Sequence, residues 1–418
     1  MSQLHEDVPC PFCGLACDDL KIQQDGGTLK VLAGGCPLSI PGFERIGDDA
    51  PPRVGGAPVA SEQAIAEAAR LIKTSRRVLF CGMGADVAGV RAALELADRV
   101  GGAVDPANSD GMLRNVFTLQ AGGYVATTLS EVKNRADLIV ICGSDVVSRF
   151  PRFFERHVWN PESLFGDKLD RRIVYLGRGL DVEAGVSPRG RRPEVIDCDP
   201  KRLGEIAGAL RAILVHRPFQ SAEVAGVKCA TLQSLAQRMA HASYGVLIWV
   251  AAELDFPHAE LVAQSLAALV VELNRKTRFA ALPLSGRNGD VTALQATTWQ
   301  TGYPLRMGFD VNGPQFEPYL YQADALARRG EVDCAVWISS FDAGAAPPDW
   351  KIPAIVLGRS GTEFAREPQV YFPVGTPGID HAGHVFRTDN VVAVRLRKLR
   401  ENALPSAADI LTRIGKAL

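Results

Sequence analysis

The sequence has no apolar run approaching the roughly 18 residues that a membrane-spanning helix needs. Its opening, MSQLHEDVPC, lacks the basic-then-apolar pattern of a secretory signal. Neither sign of charge is in excess: 46 Lys and Arg face 47 Asp and Glu, a net charge of −1. That balance leaves no broad electrostatic footprint for nucleic acid or a membrane surface. Nine cysteines in 418 residues are too few, and too clustered, for a disulfide scaffold, so a reducing cytoplasm is the expected setting. Also missing are a GxSxG elbow, a Walker loop and an HExxH zinc helix. Low-complexity sequence and short internal repeats are absent too. What remains is ordinary globular composition, 47% hydrophobic and 22% charged, at a length that suits two or three domains. The expectation is a cytoplasmic protein with no nucleic-acid and no membrane partner.

From about residue 60, short apolar runs alternate with amphipathic stretches. Ser61 is a fair N-cap for a helix whose Ile65, Ala68, Ala69 and Ile72 share one face. Strands are expected in RVLFCGMGAD, ADLIVICGSD, RIVYLGRG, PEVIDCDP, YGVLIWV, VDCAVWISS and IPAIVLG. Each is a short Val, Ile, Leu run closed by Gly, Ser or Asp and followed by helical sequence. Such runs mean parallel sheets covered on both faces. The fold class is therefore α/β: a small four-cysteine subdomain (1–55), then two doubly wound, mostly parallel-sheet domains (56–240 and 241–375). A C-terminal segment (376–418) returns to the core.

Four cysteines carry the sharpest chemical signal: Cys10, Cys13, Cys17 and Cys36, in CPFCGLACDDL and GGCPLS. Three thiols so close in sequence can converge only if the chain turns tightly, which Gly14, Gly34 and Gly35 permit. A fourth arriving from a distant turn completes an all-thiolate shell, the usual holder of an iron–sulfur cluster. A structural zinc, a Cys10–Cys13 redox pair and an empty relic are the other readings, although zinc sites more often pair two CxxC knuckles.

In open parallel sheets ligands lie at the carboxyl ends of strands. Here those ends carry Gly82 and Gly84, then Gly143, Ser144 and Asp145, then Asp197 and Asp199, and Glu253. Glycine turns there would let backbone amides approach phosphates, yet most such turns are only tight turns. Cys81 and Cys142 end apolar runs and read as core thiols. His381 and His384 could hold a metal, but a surface loop is the plainer reading. Arg287, among glycines in LPLSGRNGD, could bind an anion or simply be solvated.

CPFCGLACDDL, TLSEVKNRADLIVICGSD, RFPRFFERH, IDCDPKR and LPLSGRN together resemble the B subunit of formylmethanofuran dehydrogenase, a molybdopterin oxidoreductase-like chain. The resemblance runs from about residue 8 to beyond 385. It implies a [4Fe-4S] cluster on Cys10, Cys13, Cys17 and Cys36. It also implies pterin guanine dinucleotides at strand ends matching Gly82, Gly84, Gly143, Ser144, Asp197 and Asp199.

The departures bear on function. In that family a cysteine or selenocysteine followed by histidine holds the metal shortly before the TLGEVKNRAD string. Here the corresponding stretch is VDPANSDGMLRNVFTLQAGGYVATTLSEV, and no Cys or His lies between Cys81 and Cys142. Tungsten and molybdenum in these enzymes take a soft donor, which Asn, Ser and Asp do not supply. Losing the histidine removes a proton-transfer group. Of the catalytic set only Arg287 remains, and Asp145 puts a carboxylate where the family has Asn. This pattern resembles the B subunit of the bacterial formyltransferase/hydrolase complex of methylotrophs. It implies a redox-silent structural chain, with no tungsten or molybdenum pterin and a possible 4Fe-4S cluster. The implied partners are an amidohydrolase A subunit, a C subunit and a formyltransferase D subunit, in tetrahydromethanopterin-linked one-carbon metabolism that releases formate. An active tungsten or molybdenum dehydrogenase subunit and a small electron carrier are the alternatives.

Overall fold

The computed structural model describes residues 2–46, 49–165, 170–218 and 221–418. They form two compact units: residues 1–109 with 286–418, and the inserted residues 110–285.

The first unit begins with an antiparallel sheet of three strands, Gln3–Val8, Leu20–Asp25 and Thr28–Ala33. Asp25 pairs with Thr28 across Gly26 and Gly27, the two-residue glycine loop that favours a hairpin. A short helix, Ser39–Glu44, follows. The main sheet has nine strands. Its middle five are parallel, in the order Ala103–Pro106, Val78–Gly84, Cys334–Ser339, Ala354–Arg359 and Val370–Val374. Val78–Gly84 and Cys334–Ser339 are buried along their whole length, which explains their unbroken apolar character. Antiparallel strands finish both edges: Met307–Asp310 with Gly313–Phe316, and Arg53–Val54 with Ala57–Pro58.

Helix Ser61–Thr74 buries Ile65, Ala68, Ala69 and Ile72, the face read from their spacing. Its cap position, however, is Ala60, and Ser61 already lies in the first turn. The closing helix Ala407–Ala417 starts on a capping box. Ser406 Oγ accepts from Asp409 N–H at 3.1 Å, and the Asp409 carboxylate accepts from Ser406 N–H at 3.3 Å. Its Ile410, Leu411 and Ile414 join the core of the first unit.

The second unit is an all-parallel five-stranded sheet, in the order Glu194–Ile196, Arg172–Leu176, Leu138–Cys142, Gly245–Val250 and Phe279–Leu284. Helices Leu203–Leu214, Cys229–His241 and Ala259–Leu273 bury Leu210, Leu235 and Leu266 against it.

All seven expected strands are present. The units do not follow the expected boundaries at 55, 240 and 375. Gly245–Val250 pairs with Leu138–Cys142, while Cys334–Ser339 pairs with Val78–Gly84. Consecutive strands of the expected second domain therefore belong to different sheets. The chain leaves one sheet, builds another and returns. The closing helix buries Ala407, Ile410, Leu411 and Ile414 in the cluster that holds Val78 and Phe80.

Each sheet has one point where strand order reverses. In the first unit it lies between Val78–Gly84 and Cys334–Ser339; in the second, between Leu138–Cys142 and Gly245–Val250. The carboxyl ends of these strands are where an α/β sheet leaves a crevice.

Candidate functional site

The four cysteines follow one another around a tight loop and a short hairpin. Gly14 and Ala16 both adopt positive φ, +79° and +50°. The loop closes where Cys10 N–H donates to Cys17 O at 2.8 Å. After the hairpin, Cys36 meets the helix that starts at Ser39. Cys36 N–H donates to Ser39 Oγ at 2.8 Å, and Ser39 N–H donates back to Cys36 Sγ at 3.4 Å. All four side chains are buried, at 4, 4, 6 and 9% exposure for Cys10, Cys13, Cys17 and Cys36.

Electrostatics place the thiols in one neighbourhood. Burial pushes the Cys10 thiol up, and Cys13, Cys17 and Cys36 push it further. Burial also pushes Cys13 up to about 11, with Cys36 adding to the rise and Arg287 opposing it. Four buried thiols become thiolates together only around a cationic centre. Among the described residues, no three Cys, His, Asp or Glu side chains converge on a single-ion point. A zinc ion needs its donors about 2.3 Å from one centre, whereas cluster thiolates each bind a different iron. Buried thiols with an N–H···S bond to one of them, Cys36, are the donor type that an iron–sulfur cluster uses.

The strand-end residues have other occupations. Gly82 has φ +73°, and a Cβ there would lie 2.6 Å from Ile338 O of the neighbouring strand. One at Gly84 would press on Asn288 O and Ser339. Gly143, at φ +66°, sits against Leu254 and Leu203. These glycines make room for this chain's own atoms. Ser144 Oγ accepts from Val146 N–H at 2.9 Å, and Asp145 accepts from Ser148 N–H at 2.9 Å, so both close the turn after their strand. Asp197 pairs with Arg178 at 2.8 Å on the surface, while Asp199 caps a short 3-10 turn at Lys201 N–H. These six strand-end residues also divide between the units: Gly82 and Gly84 in the first, Gly143, Ser144, Asp197 and Asp199 in the second. No open pterin cradle is visible at these atoms.

In the stretch where the family carries its metal ligand, the polar side chains are engaged internally. Asp105 and Arg306 form a buried ion pair at 3.3 Å, and Arg306 also donates to Ser109 Oγ at 3.0 Å. Burial raises the Asp105 carboxyl, while Arg306 pulls the other way. Asn108 donates to Asp290 at 3.0 Å. In the second unit Arg114 bonds Ala251 O and Asp255, and Asn115 Oδ1 accepts from the indole of Trp249 at 2.9 Å. Glu131–Asp137 is architectural: Glu131 pairs with Arg135 at 2.9 Å, and Asp137 accepts from Ser243 and Tyr244 N–H groups just before a strand.

Arg287 lies in a loop whose Gly286, Asn288 and Gly289 all have positive φ. Its N–H donates to Asp290 at 3.0 Å, and the next N–H, of Asn288, donates to Phe12 O at 2.8 Å. The arginine loop is thereby tied to the cysteine loop. Cys81 and Cys142 are buried core thiols, as expected. His384 is exposed, and His381 Nδ1 lies 2.9 Å from Ala382 O.

Arg359, Arg306 and the buried Asp380–Arg400 pair, 2.6 Å apart, were not foreseen from the sequence. Arg359 had a usable signal: an arginine closing an otherwise apolar strand, AIVLGR. Arg306 had none, because its partner Asp105 is 201 residues away.

No family model matches the sequence. Curated relatives do. The B subunit of a tungsten-containing formylmethanofuran dehydrogenase 2 from Methanocaldococcus jannaschii is 27% identical, over 96% of this chain and 94% of its own length. Its counterpart from Methanococcus maripaludis is 24% identical over 95% of this chain. The B subunit of the formyltransferase/hydrolase complex Fhc of Methylorubrum extorquens is 28% identical, over 87% of this chain and 97% of its own length. The chain is a homologue of these B subunits. The crystal structure of the FhcABCD complex from Methylorubrum extorquens with methylofuran contains a similar chain. The TM-score is 0.74 at 27% identity, covering 87% of this chain and 98% of that one. Acetylene hydratase from Pelobacter acetylenicus shares the fold alone, with a TM-score of 0.64 at 11% identity over 98% of this chain and 69% of that one. The architecture is thus the α/β arrangement found in both of these structures. None of the described helices is long and apolar enough to cross a membrane.

Proposed function

We propose that this chain is the B subunit of a formyltransferase/hydrolase-type complex and is itself redox-silent. It assembles with an amidohydrolase A subunit, a C subunit and a formyltransferase D subunit, in the cytoplasm. The complex moves a formyl group from a tetrahydromethanopterin carrier to a methanofuran-like carrier and releases formate. This chain contributes scaffold, not chemistry. One observation carries this reading: the 60 residues between Cys81 and Cys142 contain neither Cys nor His. Asp105, Asn108, Ser109 and Asn115, hard donors in that stretch, are bonded within the chain. A group-six metal there would have no thiolate or selenolate donor, and the two thioethers in the stretch, Met83 and Met112, are buried at 0 and 1% exposure. The four cysteines would hold a 4Fe-4S cluster that staples a subdomain too small to build much core of its own.

A second reading has its own support. The tungsten-containing dehydrogenase subunits match 96 and 95% of this chain, against 87% for the Fhc relative. An active tungsten or molybdenum dehydrogenase subunit would use the cysteine cluster for electron transfer. The purified complex separates the two readings. Scaffolding predicts formate release from the formyl carrier and no dye-linked oxidation of formylated carrier. Dye reduction at a rate matching formate release would replace the first reading by the second.

A further inference from the structure

The first unit has a cavity of about 200 Å³ beyond the carboxyl ends of Cys334–Ser339 and Ala354–Arg359. Three arginines line it, Arg45, Arg287 and Arg359, together with Asn288 and one carboxylate, Asp342. Phe12, Leu38 and Phe341 supply apolar wall.

Arg359 is the unusual member. It is only 6% exposed, and its guanidinium donates to the carbonyls of Phe341 and Gly42. Among the described residues, no carboxylate lies within ion-pair distance of it. Burial lowers it to about 10. A buried cation without a counter-charge is costly unless something supplies one. The nearby carboxylates are already engaged. Asp380 is held by Arg400 and Asn402. Asp342 accepts from the Asn288 side chain at 3.0 Å and from Gly344 N–H at 2.8 Å. Among the groups that line the cavity, three guanidinium groups, those of Arg45, Arg287 and Arg359, therefore meet one carboxylate, Asp342. The imbalance is two positive charges. Guanidinium groups around a small concave site match the planar, multi-oxygen edges of phosphate.

We propose that this cavity is a binding site for a small phosphate-class dianion, inorganic phosphate or a compact phosphomonoester whose carbon part meets Phe12, Leu38 and Phe341. The site is independent of whether the chain is redox-silent.

Equilibrium dialysis of the full chain with inorganic phosphate, at fixed ionic strength in chloride, tests the site. Wild type should bind one equivalent saturably. Arg359→Met and Arg45→Met should each weaken binding at least tenfold, and Arg328→Ala, an arginine on a distant helix, should leave it unchanged. Arg45 is exposed, so its variant reads the site even if Arg359→Met fails to fold. Formate, a monoanion, should bind at least tenfold more weakly. Absence of saturable phosphate binding, equal weakening by Arg328→Ala, or formate binding as tight as phosphate would each overturn the assignment.

Discussion

The backbone N–H of Asn288 donates to the carbonyl of Phe12 at 2.8 Å, joining the loop that carries Arg287 to the loop that carries Cys10, Cys13 and Cys17. Asn288 achieves this at φ +52°, which proline cannot adopt. Asn288→Pro should therefore lose both the hydrogen bond and the loop geometry, costing about 3 kcal/mol or more by urea denaturation. Asn288→Gly keeps the N–H and tolerates the conformation, so it should stay within about 1 kcal/mol of wild type. Equal stabilities for the two variants would show that the junction is not structural.

Arg306 and Asp105 form an ion pair with both side chains buried. Removing only the cation leaves a carboxylate that burial already disfavours. Arg306→Met should cost about 3–5 kcal/mol, whereas the double variant Arg306→Met with Asp105→Leu should recover much of that loss. If the double variant were less stable than the single one, the charged pair would be contributing net stability.

Gly82 and Gly179 both have positive φ, +73° and +67°, but their surroundings differ. A Cβ at Gly82 would meet Ile338 O at 2.6 Å; one at Gly179 would meet nothing within 4 Å. Gly179→Ala should cost about 1 kcal/mol of backbone strain. Gly82→Ala should cost several times more and reduce the yield of folded protein. Similar losses would mean the sheet yields locally to admit the methyl group.

Much of the fold was legible because buried parallel strands are written as unbroken Val, Ile and Leu runs, and Val78–Gly84 and Leu138–Cys142 are of that kind. Ala103–Pro106 and Phe279–Leu284 were harder to see. Each contains a proline, at position 106 or 283, and Phe279–Leu284 lies at a sheet edge, where proline is tolerated. Sheet membership was not legible at all. Nothing local in YGVLIWV tells it to pair with Leu138–Cys142 while VDCAVWISS pairs with Val78–Gly84. The cysteine quartet was visible from spacing and glycines. The arginine cavity was not, since Arg45, Arg287 and Arg359 meet only through long-range packing.

Cys17→Ser removes one thiol of the quartet and should leave the purified complex with less iron and a weaker visible absorption band. It should also lower thermal stability, because metal binding in such a subdomain is coupled to its folding. Unchanged iron content in the variant would argue that Cys17 is not a ligand.

The central claim is that the chain holds no catalytic metal between Cys81 and Cys142. Elemental analysis of the intact assembly for iron, tungsten and molybdenum tests it most directly. The expected result is about four irons per copy of this chain, as one four-iron cluster requires, with tungsten and molybdenum at background. One tungsten or molybdenum per copy would contradict it.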